Sequence, residues 1–112
     1  MTVTSGGSQL NSIIRLHGQL GTREIGSVAI RADELAGRGA SLIIIDMADV
    51  THVDFRALGG LFRTVARAER RGIEIMAVNR SRYVRDLFRF AYPGEGESLL
   101  GAREAHPQLA QA

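Results

Sequence analysis

Lysine, cysteine and tryptophan are all missing from this 112-residue chain. Without cysteine there is no disulfide framework, no thiolate nucleophile and no cysteine metal site, a usage that fits a reducing compartment. Without lysine there is no phosphate-binding P-loop, and no receiver domain of the kind that sets a lysine beside a phosphorylated aspartate. No apolar run approaches the roughly 18 residues of a membrane span, so membrane insertion is not expected. Residues 1–9 have neither a basic start nor an apolar centre, so no signal peptide is read there and a cytoplasmic protein is expected. Two tyrosines, no tryptophan, a formal charge of only +2 and no RNP or helix-turn-helix motif argue against nucleic acid as the partner. His17, His52 and His106 are dispersed without ligand spacing, and Ser5, Ser8 and Ser12 lack both a G-x-S-x-G frame and a matching base. No catalytic centre, metal or other cofactor is therefore predicted.

The composition that remains is 45% hydrophobic and 23% charged, which is that of one soluble globular domain. A chain of this length can bury about two thirds of the surface its unfolded form exposes. Residues 1–9 are rich in Ser, Thr and Gly and are expected to be a disordered arm; the domain proper is placed at residues 10–112. Ile13, Ile14 and Leu16 predict a strand ending at His17-Gly18, followed by a turn at Gln19-Leu20-Gly21. Thr22 is the expected N-cap of a helix carrying Ile25, Val28, Ala29, Ala32, Leu35 and Ala36 at helical spacing, and Gly37-Arg38-Gly39 ends it. Strand, helix and strand in this order imply a crossover between parallel strands.

The centre of the chain is the stretch from Leu42 to Arg71. Leu42, Ile43, Ile44 and Ile45 form an unbroken apolar run closed by Asp46, the pattern of a strand buried on both faces. A second extended piece, Thr51 to Val53, ends at Asp54, and the period then switches to helical. Asp54 therefore stands at a helix N-terminus, where a carboxylate accepts free N–H groups and meets the positive end of the helix dipole. Leu58, Leu61, Phe62, Val65 and Ala68 fall on one side of that helix, with Arg56, Arg63, Arg67 and Arg70 opposite. Gly59 and Gly60 each cost about 0.8 to 1 kcal/mol relative to Ala inside a helix, which points to close approach by a neighbouring backbone or a partner. Gly72 closes the helix, Ile73 to Val78 is a further strand, and Ser81 is the N-cap of a third helix with Val84, Leu87, Phe88 and Ala91 inward. Arg82, Arg85 and Arg89 make a second stripe there. Tyr92-Pro93-Gly94 is expected to end this helix, Ser98 to Leu100 to add a short edge strand, and Ala102 to Ala112 to form a frayed helix. Asp46, Asp49 and Asp54 cluster in sequence at the end of the central strand, but metal binding is not the favoured reading of them.

The run Asp46-Met-Ala-Asp-Val-Thr-His-Val-Asp54-Phe-Arg-Ala-Leu-Gly-Gly-Leu61 resembles the signature of STAS domains, the family of anti-sigma-factor antagonists and of the cytoplasmic ends of sulphate transporters. That signature runs roughly D-hydrophobic-x-x-V-x-x-hydrophobic-D-S-S/T-G-L-x-x-L, and the order of elements agrees over about residues 10 to 100. The resemblance implies an α/β fold, a mainly parallel but mixed sheet of four or five strands with three to four helices. It also implies a non-catalytic module of transcription regulation whose partner is an anti-sigma factor or kinase-like regulator. Carried onto this chain, the docking residues would be Asp54, Phe55, Arg56, Ala57, Leu58, Gly59, Arg63 and Arg67. In phosphorylated members the second residue after the final Asp is the Ser or Thr that a kinase modifies. Here that place is Arg56, with Phe55 before it and Ala57 for the usual Gly, so a phosphoswitch at this position is not expected. A STAS subunit of an ABC-type transport system is one alternative, and an Arg-rich nucleic-acid-binding domain is another. The oligomeric state stays open.

Overall fold

The computed structural model describes residues 2–6 and 11–91. Four strands, β1 (Thr2–Gly6), β2 (Asn11–Leu20), β3 (Leu42–Val53) and β4 (Glu74–Val78), form one sheet in the order β1-β2-β3-β4. β2, β3 and β4 run parallel and β1 is antiparallel to β2, so the sheet is mixed and mainly parallel as expected. Helices α1 (Thr22–Gly37) and α2 (Leu58–Arg70) connect neighbouring parallel strands, and α3 (Arg82–Ala91) follows β4.

The alternation along the strands explains which face the helices cover. Ile14 and Leu16 of β2, Ile43, Ile45 and Met47 of β3, and Ile75 and Ala77 of β4 are all buried at the helix-covered face. Against them pack Ile25, Val28 and Leu35 of α1 and Leu58, Leu61 and Val65 of α2. Phe62 of α2 meets Phe88 of α3 edge-on, ring centroids 5.5 Å apart, which ties the third helix to the second. The core side of α2 is therefore the one its spacing predicts. At Gly60 the close neighbour is a side chain and not a backbone: a Cβ there would lie 3.0 Å from Cγ2 of Ile25, so α1 and α2 touch where α2 has no side chain.

The Leu42–Ile45 run is not buried on both faces as expected: Ile43 and Ile45 are buried but Leu42 and Ile44 only half-buried, because the helices cover one face. β2 also continues to Leu20 where a turn was expected after His17-Gly18, since its pairing with β3 extends to Val53. Three further local features differ from the sequence expectation. First, Thr2–Gly6, inside the arm expected at residues 1–9, pairs with β2 from Thr2 opposite His17 to Gly6 opposite Ile13. The β-branched Thr2, Val3 and Thr4 suit an edge strand, and pairing outweighs the glycine-rich composition that suggested an arm. Second, the cap of α1 is Gly21 and not Thr22: the Glu24 carboxylate accepts the Gly21 N–H at 2.8 Å, and a Cβ at Gly21 would lie 2.9 Å from that carboxylate. Glu24 is held below the usual carboxylate range by this backbone hydrogen bond. Third, the two extended pieces of the central strand are one strand with two irregularities. Arg15 and His17 of β2 face Asp46 and Asp49, and Gly18 and Gln19 face Val50 and His52, so β3 holds one extra residue at each place. A bulge interrupts the two-residue alternation, which is why Asp46 to Val50 does not read as strand. The expected end of α3 at Tyr92-Pro93-Gly94, the strand at Ser98 to Leu100 and the last helix lie outside the described residues.

Candidate functional site

The C-terminal end of β3 is where the sheet hands the chain to α2. The Asp54 N–H donates to the Leu20 carbonyl at 2.9 Å, joining the ends of β2 and β3 before the chain turns. Residues Phe55–Ala57 then make one 3-10 turn, closed by the Ala57 N–H donating to the Asp54 carbonyl at 2.9 Å. The Asp54 side chain caps this turn: Oδ1 accepts the Arg56 N–H at 3.0 Å and the Arg56 Nε–H at 3.4 Å, with Nη2 at 3.5 Å from Oδ2. The Arg56 backbone N–H first, and its guanidinium second, hold the Asp54 carboxyl below the usual range. Asp54 is thus an occupied cap, while the Arg56 side chain is 88% exposed and carries a fixed charge into solvent.

Around this turn the predicted site residues separate into two groups. Phe55, Arg56, Arg63 and Arg67 are exposed, and Gly59 is half-buried. Ala57 and Leu58 are buried in the core at 2% and 0% exposure, so they seat the helix start and offer no side chain to a partner. Thr64 is also buried, its hydroxyl donating to the Gly60 carbonyl at 2.9 Å, whereas Thr51 is exposed.

The three aspartates near the strand end are held apart by separate partners. Asp46 accepts the Ala48 N–H at 3.0 Å and Asn79 Nδ2 at 3.2 Å, and lies 3.7 Å from Arg15 Nε. Asp49 meets His17 Nδ1 at 2.9 Å, and Asp54 holds Arg56. Among the described residues no three His, Asp or Glu side chains converge as a metal set. The bond from Asp46 to Ala48 lies within the first irregularity of β3, so this aspartate fixes the bulge and, through it, the direction of the strand end.

Several contacts here have no local sequence signal. The Tyr83 hydroxyl lies 3.3 Å from the backbone N and 3.4 Å from the backbone O of Val53, so the first turn of α3 braces the end of β3. Phe55 packs against Phe90 with ring centroids 5.8 Å apart, yet the two residues remain 47% and 76% exposed. Asp33 of α1 accepts from Arg67 at 2.9 Å and from Arg71 at 3.1 Å, bridging the two helices. These pairs span 30 or more positions, and periodicity, which reports only faces of one element, cannot connect them. The one available hint was Asp33 itself, a charge on the α1 face that also carries Ala29 and Ala36.

The STAS-domain family model matches residues 3–92, which take in the described strands, save Thr2, and helices α1, α2 and α3. The chain belongs to the STAS-domain family. Its fold agrees with that of SpoIIAA, an anti-sigma-factor antagonist solved in its unphosphorylated form, at 18% identity and a TM-score of 0.65, over 80% of this chain and 83% of that one. The phosphorylated form of SpoIIAA, described as a Bacillus cell-fate determinant, matches at 18% identity with a TM-score of 0.67 over 88% of both chains. A structure named Mglu matches at 15% identity and a TM-score of 0.62, over 70% of this chain but only 20% of its own. No curated protein matches. Within the STAS signature, Asp46 and Asp54 keep their places, and the position two beyond Asp54 carries the arginine described above. No helix among the described residues is long and apolar enough to cross a membrane.

Proposed function

We propose that this STAS domain is a non-catalytic protein-binding module of a regulatory circuit, in the manner of an anti-sigma-factor antagonist, acting in the cytoplasm. It docks on an anti-sigma factor or kinase-like regulator through the loop at Asp54 and the exposed face of α2. The observation that carries this reading is the 3-10 turn after Asp54. It presents Phe55 and Arg56 side by side, an aromatic ring and a guanidinium, the two side-chain types most often responsible for affinity at protein interfaces. Arg56 has no hydroxyl to accept a phosphoryl group and cannot change charge, so docking here is constitutive with respect to this position. A phosphoserine at the same place would add about −1.5 to −2 charges beside Asp54. Arg56 instead neutralises Asp54 and favours an acidic surface opposite.

The test is capture of the partner from lysate followed by titration of two variants. Arg56→Glu should weaken binding about tenfold, equivalent to about 1.4 kcal/mol, while Arg38→Glu, in the turn after α1, should leave it unchanged. Equal affinities for the two variants would remove Arg56 from the interface. Capture of a transporter ATPase in place of a kinase-like regulator would reassign the module to an ABC-type transport system. Binding to nucleic acid alone, with strong salt dependence, would replace both readings. Mass spectrometry after incubation with the partner and ATP should show no phosphate; phosphate on exposed Thr51 would mean a displaced switch.

A further inference from the structure

Two adjoining hollows lie between α1 and α2, of about 530 and 280 Å³, sharing Ala29, Gly60, Arg63 and Thr64 in their walls. The smaller reaches Gly26 and Arg56 at the Asp54 end, and the larger reaches Arg67 and Arg70 at the far end of α2. Together they form one groove that starts at the proposed docking loop. Along α2, from Leu58 to Arg70, it runs about 18 Å at about 1.5 Å of rise per residue.

We propose that this groove receives an acidic amphipathic helix of the partner protein, laid along α2; the inference rests on the docking reading above and names what that surface binds. Arg63 and Arg70 stand seven positions apart on α2, about 10.5 Å or two helical turns, and Arg56 lies ahead of them in the 3-10 turn, so one edge of the groove carries the positive charges. Among the described residues Arg63 and Arg70 have no ion pair, while Arg67 is engaged by Asp33 and Arg56 by Asp54. On the opposite wall stand Gly26 and Ala29 of α1, and Ile30, beside them on the same stripe of that helix, is 65% exposed. The groove therefore offers guanidinium donors for carboxylates on one edge and small residues on the other, with exposed Ile30 next to them.

A helix with acidic side chains every seventh residue and apolar ones on the adjoining stripe matches both edges at once. An extended strand repeats its same-face side chains about every 6.7 Å and falls out of step with the arginines. The planar guanidinium forks of Arg63 and Arg70 suit bidentate pairing with carboxylates.

The probe is a capped 21-residue Ala-rich peptide with Glu at every seventh position and Leu four residues after each, compared with a peptide of the same composition and irregular spacing. Fluorescence anisotropy should give at least tenfold tighter binding of the regular peptide. Arg63→Glu combined with Arg70→Glu should abolish that preference. Gly26→Leu should do so as well, since nothing lies within 4 Å of a Cβ at Gly26 and the larger side chain fills the groove without strain. Arg82→Glu combined with Arg85→Glu on α3 should leave it intact. Equal binding of the two peptides, no binding of either, or tighter binding of a DNA duplex that is lost in the α2 variants would overturn the proposal. In partner capture, loss with Arg56→Glu but not with Gly26→Leu or the α2 pair would overturn the groove and keep the docking loop. No loss with any of these variants would overturn both.

Discussion

Arg63, Arg67 and Arg70 on α2 and Arg82, Arg85 and Arg89 on α3 are stripes of the same kind, yet their surroundings differ. On α3 a carboxylate of the same helix lies near two of the three: Asp86 is 3.9 Å from Arg82 Nε and 4.0 Å from Arg89 Nη1, long contacts between exposed groups. On α2 the answering carboxylate comes from another helix, with Asp33 of α1 holding Arg67 at 2.9 Å and Arg71 at 3.1 Å. The α3 stripe stands on an exposed helix face with partners one turn away, whereas the α2 stripe borders a groove and closes a contact between two elements. A stripe acquires a role from what lies across from it, and that neighbour is supplied by the tertiary fold.

The largest test of this contrast is at Gly60, the point where α1 and α2 touch. Gly60→Val should destabilise the domain by about 1–3 kcal/mol, because its branched side chain must displace Ile25, while in Gly60→Ala the helix-propensity gain of about 1 kcal/mol should offset the crowding of Ile25 by the Cβ. Urea unfolding would measure both, and equal stability of the Val variant and the parent would mean that the helices separate at no cost. Next comes Asp33→Ala, which removes both cross-helix pairs at once. Its expected cost is about 0.5–1 kcal/mol, screened by half-exposure, and it should shrink at high salt.

The cap at Asp54 gives a pH test of the loop beside the α2 stripe. Its folded pKa lies below the ordinary value, so its stabilisation is present above that value and fades as pH falls through the lowered folded pKa. Asp54→Asn should flatten the acid limb of the stability curve and change little in its shape above neutrality. The same sign holds for Glu24 at the start of α1, so the double variant should flatten the limb further. The smallest effect is expected at Asp86→Ala, within about 0.5 kcal/mol, since i,i+3 and i,i+4 pairs on an exposed helix contribute only tenths. A loss from Asp86→Ala as large as that from Asp33→Ala would erase the distinction between the two stripes.

Much of this arrangement is legible in the chain. Ile43 and Ile45 mark the buried face of β3, Leu58, Leu61, Phe62, Val65 and Ala68 mark the core face of α2, and the Asp46 to Leu61 signature places Asp54 at a helix start. These features are local: alternation, helical period and capping all act within a few residues, so amino-acid order alone specifies them. Gly60 was legible as a close approach, though not its neighbour. The join between the two halves of β3 was hidden because each bulge shifts the alternation by one residue. Only the tertiary structure decided that Tyr83 braces Val53, that Phe55 meets Phe90, and that Asp33 reaches Arg67 and Arg71. The physical reason is distance along the chain: these side chains meet because the sheet order and the packing of α1 on α2 bring remote segments together. No periodicity within one element records which remote face it will meet.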